Sequence, residues 1–217
     1  MNDTSELLST KSRRGYGGRS AAQLQQERRQ RLLDTGLELF GTQGYAATNI
    51  EQICRAAKVT TRHFYEQFSD KEALLLTVFD QEIENTFTQV SAALIGSELP
   101  LPERLWHGLE VFLNAQLTDP RRARLTTIEI LGVSAVAEAR RHAVISQFSQ
   151  LIEMYFSVML QQGHAPAQPY HILAVAVVGA MHELQIAHLS QPKVFDRDRI
   201  TQALQSLLQV YLRGLLA

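Results

Sequence analysis

Thr48–Glu72 reads TNIEQICRAAKVTTRHFYEQFSDKE, and the rest of the chain is organised around it. Ile50, Ile53 and Ala57 recur at spacings of three and four, the period of one face of a short helix. Thr48 stands just before them, where an N-cap belongs. Lys58-Val59 breaks the pattern, and a second short helix opens with Thr60 as its cap and runs to about Gln67. Phe64 and Phe68, four apart, point inward, leaving Thr61, Arg62, His63 and Tyr65 facing out. Two short helices across a tight turn, the second with a polar, basic outer face, read as a helix-turn-helix. Such a second helix fits the DNA major groove and shows its first side chains to base edges. The pattern also fits two ordinary helices of an all-α core. The apolar positions are core in both readings, so only the outer face and its surroundings discriminate.

Residues 28–75 resemble the DNA-binding domain of the TetR (tetracycline-repressor-like) family of transcriptional regulators. The matching segments are LELF at 37–40, GTQGYAATNIEQICRAAKV at 41–59 and TTRHFYEQFSDKEALL at 60–75. Within them Gly44-Tyr45, Thr48, Ile53, Ala56-Ala57-x-Val59, Phe64-Tyr65, Phe68 and Lys71-Glu72-x-Leu74 stand in the family's order. The resemblance implies a three-helix DNA-binding head and a larger helical domain that holds an effector and pairs with a second copy through the last two helices. It implies Thr61, Arg62 and His63 at base edges, with Arg62 best suited to guanine. Thr48, Thr60, Tyr65 and Lys71 would hold phosphates, Lys71 from the N-terminus of the next helix. Lys58 departs from the family pattern, which has glycine in this turn. A lysine at positive φ carries about 1 kcal/mol of strain, and Lys58 would offer a phosphate contact in return.

Charge is distributed to suit this arrangement. The 217 residues have a net charge of -1, but through Lys71 there are 11 basic and 8 acidic residues, and afterwards 10 and 14. A basic first third on a mildly acidic body is expected where one end meets phosphate. The single cysteine, Cys54, excludes an intramolecular disulfide; it reads as a small buried hydrophobe, with a redox switch as the alternative. The first 23 residues lack the apolar region of a signal peptide, and the longest apolar run, Ile172 to Met181, is too short for a bilayer. A soluble, cytoplasmic protein without a membrane partner is the expectation.

The fold class reads as all-α, with about nine helices in three parts: a disordered basic arm at 1–22, a helix-turn-helix domain at 23–72, and a helical effector-binding and dimerisation domain at 73–217. Lys11, Arg13, Arg14 and Arg19 in the arm suit either a minor-groove contact or a solvated tail. A first helix spans about Leu24 to Thr42; Arg28, Arg29 and Arg31 at its start suit phosphate contact or plain solvation. Ser69 or Asp70 caps a long helix to about Leu94. Pro102, Asp119-Pro120, Ser134, Pro169 and Asp196 start the later ones, ending near Leu117, Leu131, Gln162, Leu189 and Leu212.

The stretch 170–189 is apolar nearly all round, which predicts burial on every side. The last helix carries Ile200, Leu204, Leu207, Leu208, Tyr211 and Leu212 on a broad stripe. Both suit a homodimer through the last two helices, or simply the completion of a monomer core. Candidate effector-lining residues are Trp106, Leu109, Phe112, Ile128, Phe148, Ile152, Tyr155, Val178 and His182, most of which would serve equally as plain core. Arg121, Arg122, Arg124, Arg140 and Arg141 form a local basic cluster, read as solvated surface or as an attractor for an anionic effector.

An enzyme reading finds no support. His182-Glu183 is followed by His188, six residues on, a spacing that puts the two rings on different helix faces. No nucleotide, hydrolase or zinc motif is present, so no catalytic residue, metal or cofactor is assigned. The expected protein is a DNA-binding transcriptional regulator that binds a palindromic double-stranded operator as a dimer, most simply a repressor released by a small-molecule effector. The alternative is an architectural helix-turn-helix protein whose large domain binds a protein partner.

Overall fold

The computed structural model describes residues 20–216, apart from the side chains of Pro102 and of residues 207–216. The order is α1 (Ala21–Thr42), α2 (Ile50–Ala57), α3 (Thr61–Tyr65), α4 (Lys71–Leu94), α5 (Leu101–Leu117) and α6 (Pro120–Arg124). One π-helical turn (Leu125–Glu129) continues α6, and α7 (Ala135–Gln161), α8 (Tyr170–Ser190) and α9 (Arg197–Leu216) follow. The described residues form nine α-helices and no strand, the all-α class expected.

Local chemistry explains most boundaries. Asp70, Asp119, Ser134 and Asp196 each accept an amide proton from the first turn of α4, α6, α7 and α9. Gly132 and Gly163, at φ +68° and +75°, end the helical segment before α7 and α7 itself as left-handed residues. Two sequence expectations are corrected. Ser20 caps α1 reciprocally with Gln23, so residues 21 and 22 are helix rather than arm; the rest of the arm lies outside the described residues. Asn49, not Thr48, caps α2, exchanging bonds of 2.9 and 2.8 Å with Gln52. The Thr48 hydroxyl is turned inward and donates to the Gly44 carbonyl at 2.8 Å.

The head packs around Leu32, Phe40, Ile53, Phe64, Leu74 and Leu75, all fully buried. That core runs on without a break into Leu125, Ile130 and Ala137 of the larger domain. Cys54 sits in it as a small hydrophobe; burial pushes its thiol pKa up, with Thr61 opposing and Glu51 adding to the shift. A second core lies among α4, α5 and α7, and a third joins α5, α8 and α9 through Leu113, Leu117, Met181, Ile200 and Leu204.

Helix α8 is not buried on every side. Ala174 and Met181 face inward, while Ile172 and Val175 are 72% and 42% exposed. Ala176, Gly179 and Ala180 complete an open face at i, i+3, i+4, i+7 and i+8. Among the described residues nothing covers this face. The stripe expected on α9 beyond Leu204 lies outside the described side chains. By length and composition alone, α7 and α8 are each long and apolar enough to cross a bilayer.

Candidate nucleic-acid interface and effector cavity

The reading surface is built on α3. Thr60 caps it: its hydroxyl oxygen accepts the His63 amide at 3.2 Å and lies 2.9 Å from His63 Nδ1. Arg62 is 87% exposed at its side chain and held only by Glu66, one turn on, at 3.1 Å. Exposed pairs of this kind are worth about 0.3–0.5 kcal/mol, so the guanidinium is free to change partners. Thr61 and Tyr65 are exposed, Tyr65 at 56%, while Phe64 beneath them is fully buried. Lys58 is exposed in the turn at φ 53°, ψ 48°, the left-handed conformation expected there.

Two phosphate candidates have other occupations. Thr48 is 2% exposed, and its hydroxyl is spent on Gly44. It cannot reach a phosphate from that position. Lys71 donates to the carbonyls of Tyr45 and Thr48 at 2.8 and 2.7 Å and lies 4.0 Å from the centre of the Tyr45 ring. Burial lowers its ammonium pKa. Lys71 thus staples the α1–α2 loop to the start of α4, and of its three donors one remains. Arg29, read as a phosphate ligand or solvated charge, packs 4.7 Å from the centre of the Phe68 ring and ties α1 to the end of α3.

Each arginine of the local basic cluster has an acidic partner. Arg121 pairs with Asp119 at 2.7 Å and with Glu38 of α1. Arg122 meets Glu82 at 3.0 Å, Arg140 meets Asp80 at 2.7 Å, and Arg141 meets Glu138 at 3.0 Å. Arg124 donates to the Thr42 carbonyl at 2.9 Å and to Glu129 at 2.7 Å. Glu129 in turn accepts the Tyr45 amide at 2.7 Å, and Ser134 donates to Glu72. The contacts of Arg121 with Glu38, Arg124 with Thr42, Glu129 with Tyr45 and Ser134 with Glu72 clasp the head to the larger domain. Their partners lie 62 to 84 residues apart, which no local pattern signals.

A cavity of about 140 Å³ opens among α4, α5, α7, α8 and the π turn. Of the nine candidate effector-lining residues, Leu109, Phe112, Phe148, Ile152, Val178 and His182 line it. Three candidates do not. Tyr155 is fully buried below it with its hydroxyl on the Leu101 carbonyl, and burial pushes its pKa up to about 12. Ile128 is 37% exposed on the outer side of the π turn, and Trp106 lies off the wall.

Sequence reading missed the polar part of the wall. Gln116 donates to Thr86 at 2.8 Å and accepts from Thr126 and Gln185 at 3.1 and 3.2 Å. A glutamine three and four residues beyond Leu113 and Phe112, on the apolar stripe of α5, was the available signal. Among the described residues no cluster of metal-ligating side chains occurs.

Residues 32–78 match the profile of bacterial regulatory proteins of the tetR family. The chain is similar to the HTH-type transcriptional activator FasR of Mycolicibacterium smegmatis, 34% identical over 89% of this chain and 90% of that one. It is similar to the HTH-type transcriptional regulator HbdR of Aromatoleum sp., 33% identical over 76% and 72%. Its fold is that of the fatty acid degradation regulator FadR of Bacillus halodurans, with a TM-score of 0.76 at 15% identity over 83% and 94%. Head, cavity domain and relatives agree: this chain belongs to the TetR family of helix-turn-helix transcriptional regulators, and it is a DNA-binding protein rather than an enzyme.

Proposed function

We propose that this chain is a dimeric repressor that leaves its operator when a small molecule enters the cavity. The observation that carries this reading is the π turn. Thr126 and Thr127 at its centre line the cavity, and Glu129 at its end holds the Tyr45 amide of the head. A π turn is a strained insertion that favours functional sites, and here five residues span from ligand wall to DNA head. A ligand that pushes on Thr126 and Thr127 shifts Glu129, and with it the α1–α2 loop that Lys71 staples to α4. An apolar cavity favours this reading over an architectural protein, whose large domain needs no such void.

Arg62 and His63 offer donors to guanine edges, with Thr61 beside them. Lys58, Thr60 and Tyr65 stand near the phosphates, and the first amides of α4 supplement them. The revised roles of Thr48 and Lys71 are to hold the loop behind this surface. The bare α8 face is covered by a second copy, packing with α9 into a four-helix bundle. This sets two heads for half-sites about one DNA turn, some 34–36 Å, apart. A cytoplasmic location follows from access to DNA. FasR is named an activator, which favours activation as a second reading of the same machinery.

The test is a footprint on the DNA upstream of this chain's own gene, with and without a small-molecule extract of the source cells. Two protected half-sites that wild type abandons in extract, and that a filled-cavity variant, Val178→Trp, retains, are the expected result. Release of both proteins alike, or retention by both, contradicts a cavity-borne signal; opposite expression changes on gene deletion separate repressor from activator.

A further inference from the structure

The polar groups of the cavity wall are unequally provided for. Gln116, Gln185 and Thr126 satisfy one another, and Thr127 donates to the Ala123 carbonyl. Arg141 spends its Nε–H on Glu138 at 3.0 Å and approaches His142 through Nη2 at 3.0 Å, leaving N–H donors over. His182 differs. Its Nε2 is buried on the cavity wall and has no hydrogen-bond partner. A buried, unpaired ring nitrogen costs about 1–3 kcal/mol, a cost that a ligand group can remove. Arg141 lines the same wall from α7, and its positive charge is felt at His182 on α8. Burial first, and that charge second, hold the ring below its usual pKa and so neutral, against Glu183 on the outer face. In the tautomer with its proton on Nε2, the imidazole joins the guanidinium in donating to an acceptor that carries negative charge. The pair repels a cation and offers an alcohol only half the interaction.

Most of the rest is hydrocarbon: Ile83, Leu109, Phe112, Phe148, Ile152 and Val178 give the wall its apolar surface. A volume near 140 Å³ matches a benzene-sized body, roughly six to eight carbons, with room to extend through the open side. We propose that the cavity takes a small apolar carboxylate, its acid group bound between Arg141 and His182 and its hydrocarbon part against α4, α5 and α7. This rests on the reading of the cavity as an effector site and names the class of its ligand. A carboxylate there competes with Glu138 for Arg141. Glu138 also accepts the Gly132 amide at 3.1 Å, in the loop that follows the π turn.

The experiment titrates the full chain calorimetrically with octanoate, 1-octanol and octylamine, and in parallel measures retention on its upstream DNA. Octanoate should bind about tenfold or more tighter than 1-octanol, with octylamine weakest. Arg141→Gln and His182→Phe should each erase that preference while leaving 1-octanol binding in place, which also shows that the variants fold. Arg140→Gln, which removes a neighbouring charge outside the cavity, should leave the preference for octanoate over 1-octanol unchanged. Equal binding of acid and alcohol, a preference for the amine, an acid preference that survives Arg141→Gln, or no binding by any probe overturns the proposal. The DNA arm separates the two readings. Octanoate that binds with the expected preference yet leaves DNA retention unchanged upholds the site and contradicts release. Release by 1-octanol as effective as by octanoate upholds release and overturns the acid site.

Discussion

The DNA head and the cavity domain are both made of amphipathic helices, but they store their information at different ranges. In the head, the cap Thr60, the buried Phe64 and Phe68 and the outward Arg62 lie within nine residues of one another. In the cavity domain, the wall runs from Phe79 to Gln185 and draws on four helices and a π turn. The described core side chains of the head are buried against one another, whereas the cavity domain keeps a void and an unpaired His182 nitrogen. One region is built to stay the same shape, the other to gain an occupant.

The sharpest way to break that contrast is by truncation. Phe64→Ala should cost about 3–5 kcal/mol in urea unfolding, because a fully buried ring leaves a cavity in a close-packed core. Val178→Ala, on a wall that already borders empty space, should cost about 1 kcal/mol or less. Equal costs would mean that the void is not a feature of the folded protein.

Next comes the staple. Lys71→Ala takes the ammonium donor from the Tyr45 and Thr48 carbonyls, leaving Tyr45 the Thr48 amide, so stability should fall by about 1–3 kcal/mol. DNA affinity should fall with it, since the loop that seats α2 loosens. A variant that loses DNA affinity at unchanged stability would return Lys71 to a pure phosphate role.

What was legible follows the same division of range. The helix-turn-helix, its caps at Thr60 and Asp70, the left-handed turn at Lys58 and the starts of α5, α6, α7, α8 and α9 rest on signals within a few residues. Thr48 and Asn49 are both good cap residues side by side; only the reciprocal Gln52 bond decides between them. The π turn has no marker, since Leu125–Glu129 carries the same apolar pattern as an ordinary helix. The arginine clasps were invisible because contacts more than 80 residues apart leave no periodicity. Six of nine cavity candidates were found because apolar stripes point inward in any helical bundle. His182 was among them, but its lack of a partner is a property of three dimensions.

Two smaller effects sharpen the comparison. Lys58→Gly relieves the left-handed strain and should stabilise the head by about 0.5–1 kcal/mol. Its DNA affinity should drop slightly, with a shallower salt slope, if the ammonium meets a phosphate. At the clasp, hydrogen bonding from Arg121 holds the Asp119 carboxyl below its usual 3.8. The folded state therefore binds that proton less readily than the unfolded one. The stability it brings is present above pH 3.8 and lost as pH falls through the depressed value. Asp119→Asn keeps a cap for α6 but not the pair. It should cost under about 1 kcal/mol at pH 7, given the solvent around Arg121, and flatten the acid limb of the pH–stability curve.

The central claim is that α3 reads a specific operator, and equilibrium binding across a salt series tests it most directly. Wild type and Arg62→Ala are titrated onto the chain's own upstream DNA and onto a scrambled duplex. The expected result is a preference of about a thousandfold or more for the upstream DNA, saturating at an even number of chains. Arg62→Ala should lose about 1–3 kcal/mol on that DNA and little on the scramble. Binding that is steeply salt-dependent but blind to sequence, or equal losses on both duplexes, would contradict the account.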